Sequence, residues 1–165
     1  MGKPRKTVLP QHMKKTIERV EEIASAVDIV FEVVDARAPE ASRCHIMTRI
    51  LAGSRLVTVL SKTDLADPDT TKAWQNSFNA RGIPWVELPY GKKLNLEKFM
   101  GRSVLPEIHP REGAMLKALV IGIPNVGKST LINLLTGKHR APTGAKPGIT
   151  RGVQLVKVIP GMFVY

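Results

Sequence analysis

The stretch that most constrains this chain is Gly122-Ile-Pro-Asn-Val-Gly127-Lys128-Ser129, which has the spacing G-x-x-x-x-G-K-S. An apolar run, LKALVI (Leu116–Ile121), precedes it and reads as a buried strand. Residues 128–135 follow with helical character. Two glycines permit backbone conformations that a side chain would hinder. Successive amides from about Asn125 to Thr130 can then point inward around a phosphate, and the positive end of the following helix adds to that field. Lys128 would reach the β- and γ-phosphates, and the Ser129 hydroxyl would ligate Mg²⁺. The candidate contacts are Gly122, Pro124, Asn125, Val126, Gly127, Lys128, Ser129 and Thr130. The alternative is a glycine-rich turn that holds nothing.

The rest of the chain supplies a matching frame. Residues 12–26 read as an amphipathic helix, with Met13, Ile17, Val20, Ala24 and Val27 at helical spacing. Residues 27–34 (VDIVFEVV) and 55–60 (RLVTVL) read as strands, and residues 83–88 as a third. Helices are expected over residues 41–51, from the cap Asp67 and first-turn Pro68 to Ala80, and over 94–104. Residues 153–159 and 162–165 form two strands about the turn Pro160-Gly161. Strands alternating with helices predict an α/β fold: a mostly parallel sheet covered on both faces, hence three layers.

Charge bears on partners. The 165 residues carry a formal net charge of +11, and no acidic residue follows Glu112. That balance points to a polyanion, nucleic acid first, against a merely basic protein. Aromatic residues make up only 5%, so phosphate contacts from Lys and Arg are expected rather than base stacking. The single cysteine, Cys44, excludes a disulfide scaffold and fits a reducing compartment. No apolar run approaches the roughly 20 residues of a membrane helix.

Ser61-Lys62-Thr63-Asp64 follows the second strand and has the form [NT]-K-x-D apart from Ser61. A carboxylate offers two acceptors, and guanine presents N1–H and an amine side by side. Adenine would leave a buried Asp64 unsatisfied, at a cost of several kcal/mol, roughly enough for strong discrimination. The stem of Lys62 would lie over the base. Ser61 bears on one hydrogen bond tying this loop to the phosphate loop, not on the choice of base.

The base motif here precedes the phosphate loop, the reverse of the usual order in GTPases, and circular permutation explains it. The chain resembles the circularly permuted GTPases of the YlqF/RbgA type, which act in large ribosomal subunit assembly. The resemblance covers nearly all of residues 1–165, read as one GTPase domain with residues 1–26 as a basic segment and helix. It rests on His12-Met13-Lys14-Lys15, Asp35-Ala36-Arg37-Ala38-Pro39, Ser61–Asp64, Gly122–Thr130 and Pro147-Gly148-Ile149-Thr150. Gln11 stands where the family usually has Gly, and no Ser-Ala-like base-backing loop is recognisable near residues 88–91.

The resemblance implies a P-loop GTPase fold, with GTP or GDP and Mg²⁺ as cofactors and the large ribosomal subunit and its RNA as partners. It also implies a cytoplasmic monomer without membrane attachment. Thr150, beside Gly148, would join Ser129 on Mg²⁺ within a switch spanning residues 138–151; an ordinary surface loop is the alternative. Asn125 would help hold K⁺, or is simply a turn residue. His12 would serve in catalysis, or only begin a helix. Asp35 and Arg37 are expected to brace their loop with a salt bridge. The motif D-x-x-G is absent, and the chain is expected to be a fragment ending just before it, without the family's C-terminal helical RNA-binding domain and deficient in hydrolysis. An RNA-binding module with a relic nucleotide site and an ATP-using P-loop enzyme are the competing readings.

Overall fold

The computed structural model describes residues 11–51, 53–91, 95–99, 101, 115–136, 156–159 and 162–164. Its elements are α1 (Gln11–Ala24), β1 (Ile29–Asp35), α2 (His45–Ile50), β2 (Leu56–Ser61), a 3₁₀ turn (Thr63–Leu65), α3 (Pro68–Ala80), β3 (Trp85–Glu87), α4 (Leu96–Phe99), β4 (Leu116–Ile121), α5 (Lys128–Thr136), β5 (Val156–Ile159) and β6 (Met162–Val164). They form one six-stranded sheet in the order β3-β2-β1-β4-β6-β5. All neighbouring pairs are parallel except β5 with β6. The expected mostly parallel α/β sheet is therefore present.

The pleat of β1 explains the three layers. On one face Ile29, Phe31 and Val33 pack with Val57 and Val59 of β2, Leu131 and Leu135 of α5, and Phe99 of α4. On the other, Val30 packs with Ile23 of α1, Leu51, and Leu119 and Ile121 of β4. Val34 and Leu60 meet Phe78 of α3 on that second face. Six of the seven β1 residues are buried, as expected for a parallel strand covered on both sides. Burying that apolar surface, at roughly 25 cal/mol per Å², is what holds the layers together.

Local chemistry sets the ends of the elements. Asp67 caps α3 by accepting the Thr70 N–H at 2.7 Å, with Pro68 in the first turn. The second helix begins at His45, later than the sequence suggested. The reason is Ser42, whose hydroxyl accepts the Asp35 N–H at 2.9 Å and donates to the Pro39 carbonyl at 3.1 Å. That use of the side chain holds residues 35–44 as a turn rather than a helix. Helix α4 is described only over Leu96–Phe99, and residues 102–104 of the expected helix lie outside the described residues.

Candidate functional site

The phosphate-loop motif lies where the spacing predicted, between β4 and α5. Gly122 has φ 150°, and a Cβ there would sit 2.6 Å from the Val33 carbonyl oxygen and 2.9 Å from Val126 Cγ2. No side chain fits at that position. Asn125 adopts the left-handed conformation, φ 64°, which turns the loop crest. Lys128 folds back across the loop, its Nζ donating to the Gly122 and Ile123 carbonyls at 2.9 and 2.8 Å. Burial holds the Lys128 ammonium below the usual lysine range. Such a cradle, closed by an ammonium and built on the N-terminus of a nine-residue helix, suits an anionic phosphate chain.

Register brings the base motif to the same edge. In β1 and β2, Asp35 pairs with Ser61, and in β1 and β4, Glu32 pairs with Ile121. The loops after all three strands thus leave the sheet at its carboxyl end, where α/β folds bind ligands. They touch there: Ser61 Oγ lies 2.5 Å from the Val126 carbonyl oxygen and 2.9 Å from that of Val34. A Cβ on Gly127 would lie 3.4 Å from Ser61 Cβ. Serine in place of Asn or Thr therefore still ties this loop to the phosphate loop. Thr63 secures the other side, donating to Glu87 Oε1 of β3 at 2.6 Å.

Two features of this motif go beyond what its four residues signal. Asp64 is exposed, not buried, because the 3₁₀ turn projects it outward; any desolvation must come from a bound base covering it. Lys62, expected to lie with its stem over a base, has its Nζ 2.9 Å from Asp35 Oδ2. Asp35 is also held by Arg37, through Nε to Oδ1 at 2.9 Å, Nη2 to Oδ2 at 2.7 Å and the Arg37 N–H to Oδ1 at 3.1 Å. The Asp35–Arg37 brace is as expected; the lysine on the same carboxylate was not foreseen. Arg37, with Lys62 assisting against partial burial, keeps the Asp35 carboxyl far below the usual carboxylate range. Asp35, Arg37 and Lys62 line a cleft of about 490 Å³ with Pro124, Asn125 and Val126. The Asp35–Lys62 contact follows from the register of β1 against β2, which the sequence does not signal.

Other candidates stand apart from this geometry. Gly148 and Thr150, with the whole of residues 138–151, lie outside the described residues, as do Pro160 and Gly161. The backbone of His12 lies in the first turn of α1, after Gln11. Residues 25–28 lead from α1 into β1, and Val20, Ile23 and Ala24 near the end of α1 pack in one cluster with Val30.

A parallel sheet whose phosphate loop follows its base motif in the chain defines a circularly permuted P-loop GTPase domain. Residues 117–163 match the model of the 50S ribosome-binding GTPase family. Ribosome biogenesis GTPase A of Bacillus licheniformis is 42% identical over 161 residues, covering 90% of this chain and 56% of that protein. The GNP-bound YlqF structure from Thermotoga maritima superposes with TM-score 0.66 at 25% identity, over 91% of this chain and 55% of that one. A GDP-bound form of that YlqF gives TM-score 0.64 over 88% of this chain. Over 90% and 91% of its length, respectively, the chain is thus similar to ribosome biogenesis GTPase A and to YlqF. It spans about half the length of these relatives.

Proposed function

We propose that this chain binds GTP and GDP and hydrolyses GTP in the assembly of the large ribosomal subunit, with ribosomal RNA as its macromolecular partner. The observation that carries this reading is the contact of Ser61 with Val126 and Gly127, which unites a base-reading loop and a phosphate loop at one sheet edge. Gly122, Pro124, Asn125, Val126, Gly127, Lys128, Ser129, Thr130 and Gly148 surround the phosphates, while Lys62, Thr63 and Asp64 read the guanine. The net charge of +11 suits an RNA partner.

Ser129, in the first turn of α5, would hold Mg²⁺ through its hydroxyl, an oxygen donor that suits this ion, and Thr150 is assigned as its second ligand. When bound, the ion neutralises charge between the β- and γ-phosphates. Asn125, at the loop crest, is assigned to K⁺ and His12 to a catalytic role. Among the described residues no helix is long and apolar enough to cross a membrane. A cytoplasmic monomer is part of the proposal.

Calorimetry of GDP against ADP, with Asp64→Ala alongside, tests the reading. GDP should bind and ADP should not, and Asp64→Ala should lose the preference by roughly 2 kcal/mol or more. Equal binding of ADP would instead support an ATP-using enzyme. RNA affinity indifferent to GTP and GDP would point to a module with a relic site.

A further inference from the structure

We infer that Asp35 is a positioning residue for Lys62: through their ion pair it holds the lysine side chain in one arrangement at the cleft before a nucleotide arrives. The inference rests on the nucleotide-binding reading above and adds a residue to it.

The frame around Asp35 is rigid. It closes β1 opposite Ser61, the Ala36 N–H donates to the Ser61 carbonyl at 2.9 Å, and the Asp35 N–H donates to Ser42 Oγ at 2.9 Å. Bracing of its own loop needs only Arg37, which supplies three of the four contacts to the carboxylate. The fourth contact crosses to another loop. Lys62 Nζ shares Oδ2 with Arg37 Nη2, at 2.9 and 2.7 Å. Lys62 itself sits in the left-handed conformation, φ 56° and ψ 34°, so its backbone direction is fixed as well. Both partners line the cleft beside Pro124, Asn125 and Val126, and both side chains are largely shielded, at 27% and 13% exposure.

A lysine side chain free in solution samples many rotamers, and a ligand that orders it loses affinity accordingly. Asp35 removes most of that freedom beforehand. Its charge also balances the ammonium while no phosphate or base is near. Arg37 keeps Asp35 oriented toward Lys62, so the pair can stay in place while the stem of Lys62 lies beside the ligand. Among the described residues, Asp35 is the one carboxylate that lines this cleft.

A double-mutant cycle on GDP affinity tests this, with wild type, Asp35→Asn, Lys62→Ala and the double variant measured in Mg²⁺. Each single substitution should weaken GDP by about three- to tenfold, and the double variant should bind no worse than Lys62→Ala alone. All four should still reject ADP, because Asp64 is untouched. Losses that multiply in the double variant, or Asp35→Asn binding as wild type does, would overturn the positioning role. If Asp35→Asn does not fold, the ammonium ¹H–¹⁵N signal of Lys62 in the wild-type chain decides, assigned by its absence in Lys62→Ala. A slowly exchanging resonance at pH 6 supports the pair, and rapid exchange overturns it. Failure of the wild type to prefer GDP over ADP would strike the nucleotide reading itself, an outcome separate from additivity in the cycle.

Discussion

The hydroxyl of Ser61 lies 2.5 Å from the carbonyl oxygen of Val126, 65 residues further along the chain, with only 2% of the serine exposed. One hydroxyl proton serves two carbonyls, those of Val34 and Val126, so this side chain pins β1, β2 and the phosphate loop at a single point. Ser61→Ala should cost about 1–3 kcal/mol, the range for a buried acceptor left without its donor. Urea denaturation measures the loss, and GDP dissociation should quicken in parallel. A loss below about 0.5 kcal/mol would show that the loops are joined by something else.

Gly122 invites a sharper test. The atom that an added methyl would strike, the Val33 carbonyl oxygen, belongs to the central strand and cannot swing away. Gly122→Ala should therefore push the phosphate loop off β1, costing about 1–3 kcal/mol in stability and abolishing GDP binding. Thermal denaturation with and without GDP checks both parts. Retained stabilisation by GDP in the variant would mean that the loop tolerates the shift.

How far the residues alone disclosed this arrangement depends on the range of the interaction. Asp67-Pro68 fixed the start of α3, and LKALVI followed by the glycine loop fixed β4 and α5, because those signals act within a few residues. Both candidate loops, residues 61–64 and 122–129, could be found for the same reason. The late start of α2 could not, since Ser42 spends its hydroxyl on the backbone of residues 35 and 39. Nor could the resting place of Lys62 on Asp35, 27 residues away, which depends on the strand register. The exposure of Asp64 likewise follows from a 3₁₀ turn that the tetrapeptide does not signal.

Lys128 should give opposite pH trends for stability and for binding. Burial lowers its proton affinity in the folded chain, so folded molecules release the proton at a lower pH than unfolded ones. Between those two values the unfolded state holds more protons, and stability rises with pH. Below that window the cost of the buried ammonium is borne in full. Lys128→Met removes the titration, so wild type should gain on the variant in melting temperature from pH 7 to pH 10. GDP affinity of the wild type should fall over the same range as the ammonium is lost. At pH 7 the variant should bind GDP roughly a hundredfold more weakly, the scale for truncating one partner of a buried charged contact. Parallel melting curves across that pH range would remove the linkage.

A buried charge pair beneath the cleft supplies the last prediction. Glu32 is fully buried in the middle of β1, and its Oε2 lies 3.8 Å from Nε of Arg43, which is 7% exposed. Thr48 donates to Glu32 Oε1 at 2.9 Å, and Arg43 Nη2 donates to Thr58 Oγ1 at 2.9 Å. The guanidinium also sits 5.7 Å over the Phe78 ring. Arg43 closes the segment of residues 35–44 that walls the cleft, so the pair joins the centre of the sheet to the rim of the site. At 3.8 Å the two charges are near but not hydrogen bonded, and their desolvation is incompletely offset. Arg43→Ala leaves Glu32 buried and unpaired and should cost about 3–5 kcal/mol. Glu32→Gln combined with Arg43→Met removes both charges at similar volume and should cost less than about 1.5 kcal/mol. Urea denaturation of the two variants against wild type decides: a double variant as unstable as Arg43→Ala would mean that Arg43 contributes through packing on Phe78 and Thr58 rather than by neutralising Glu32.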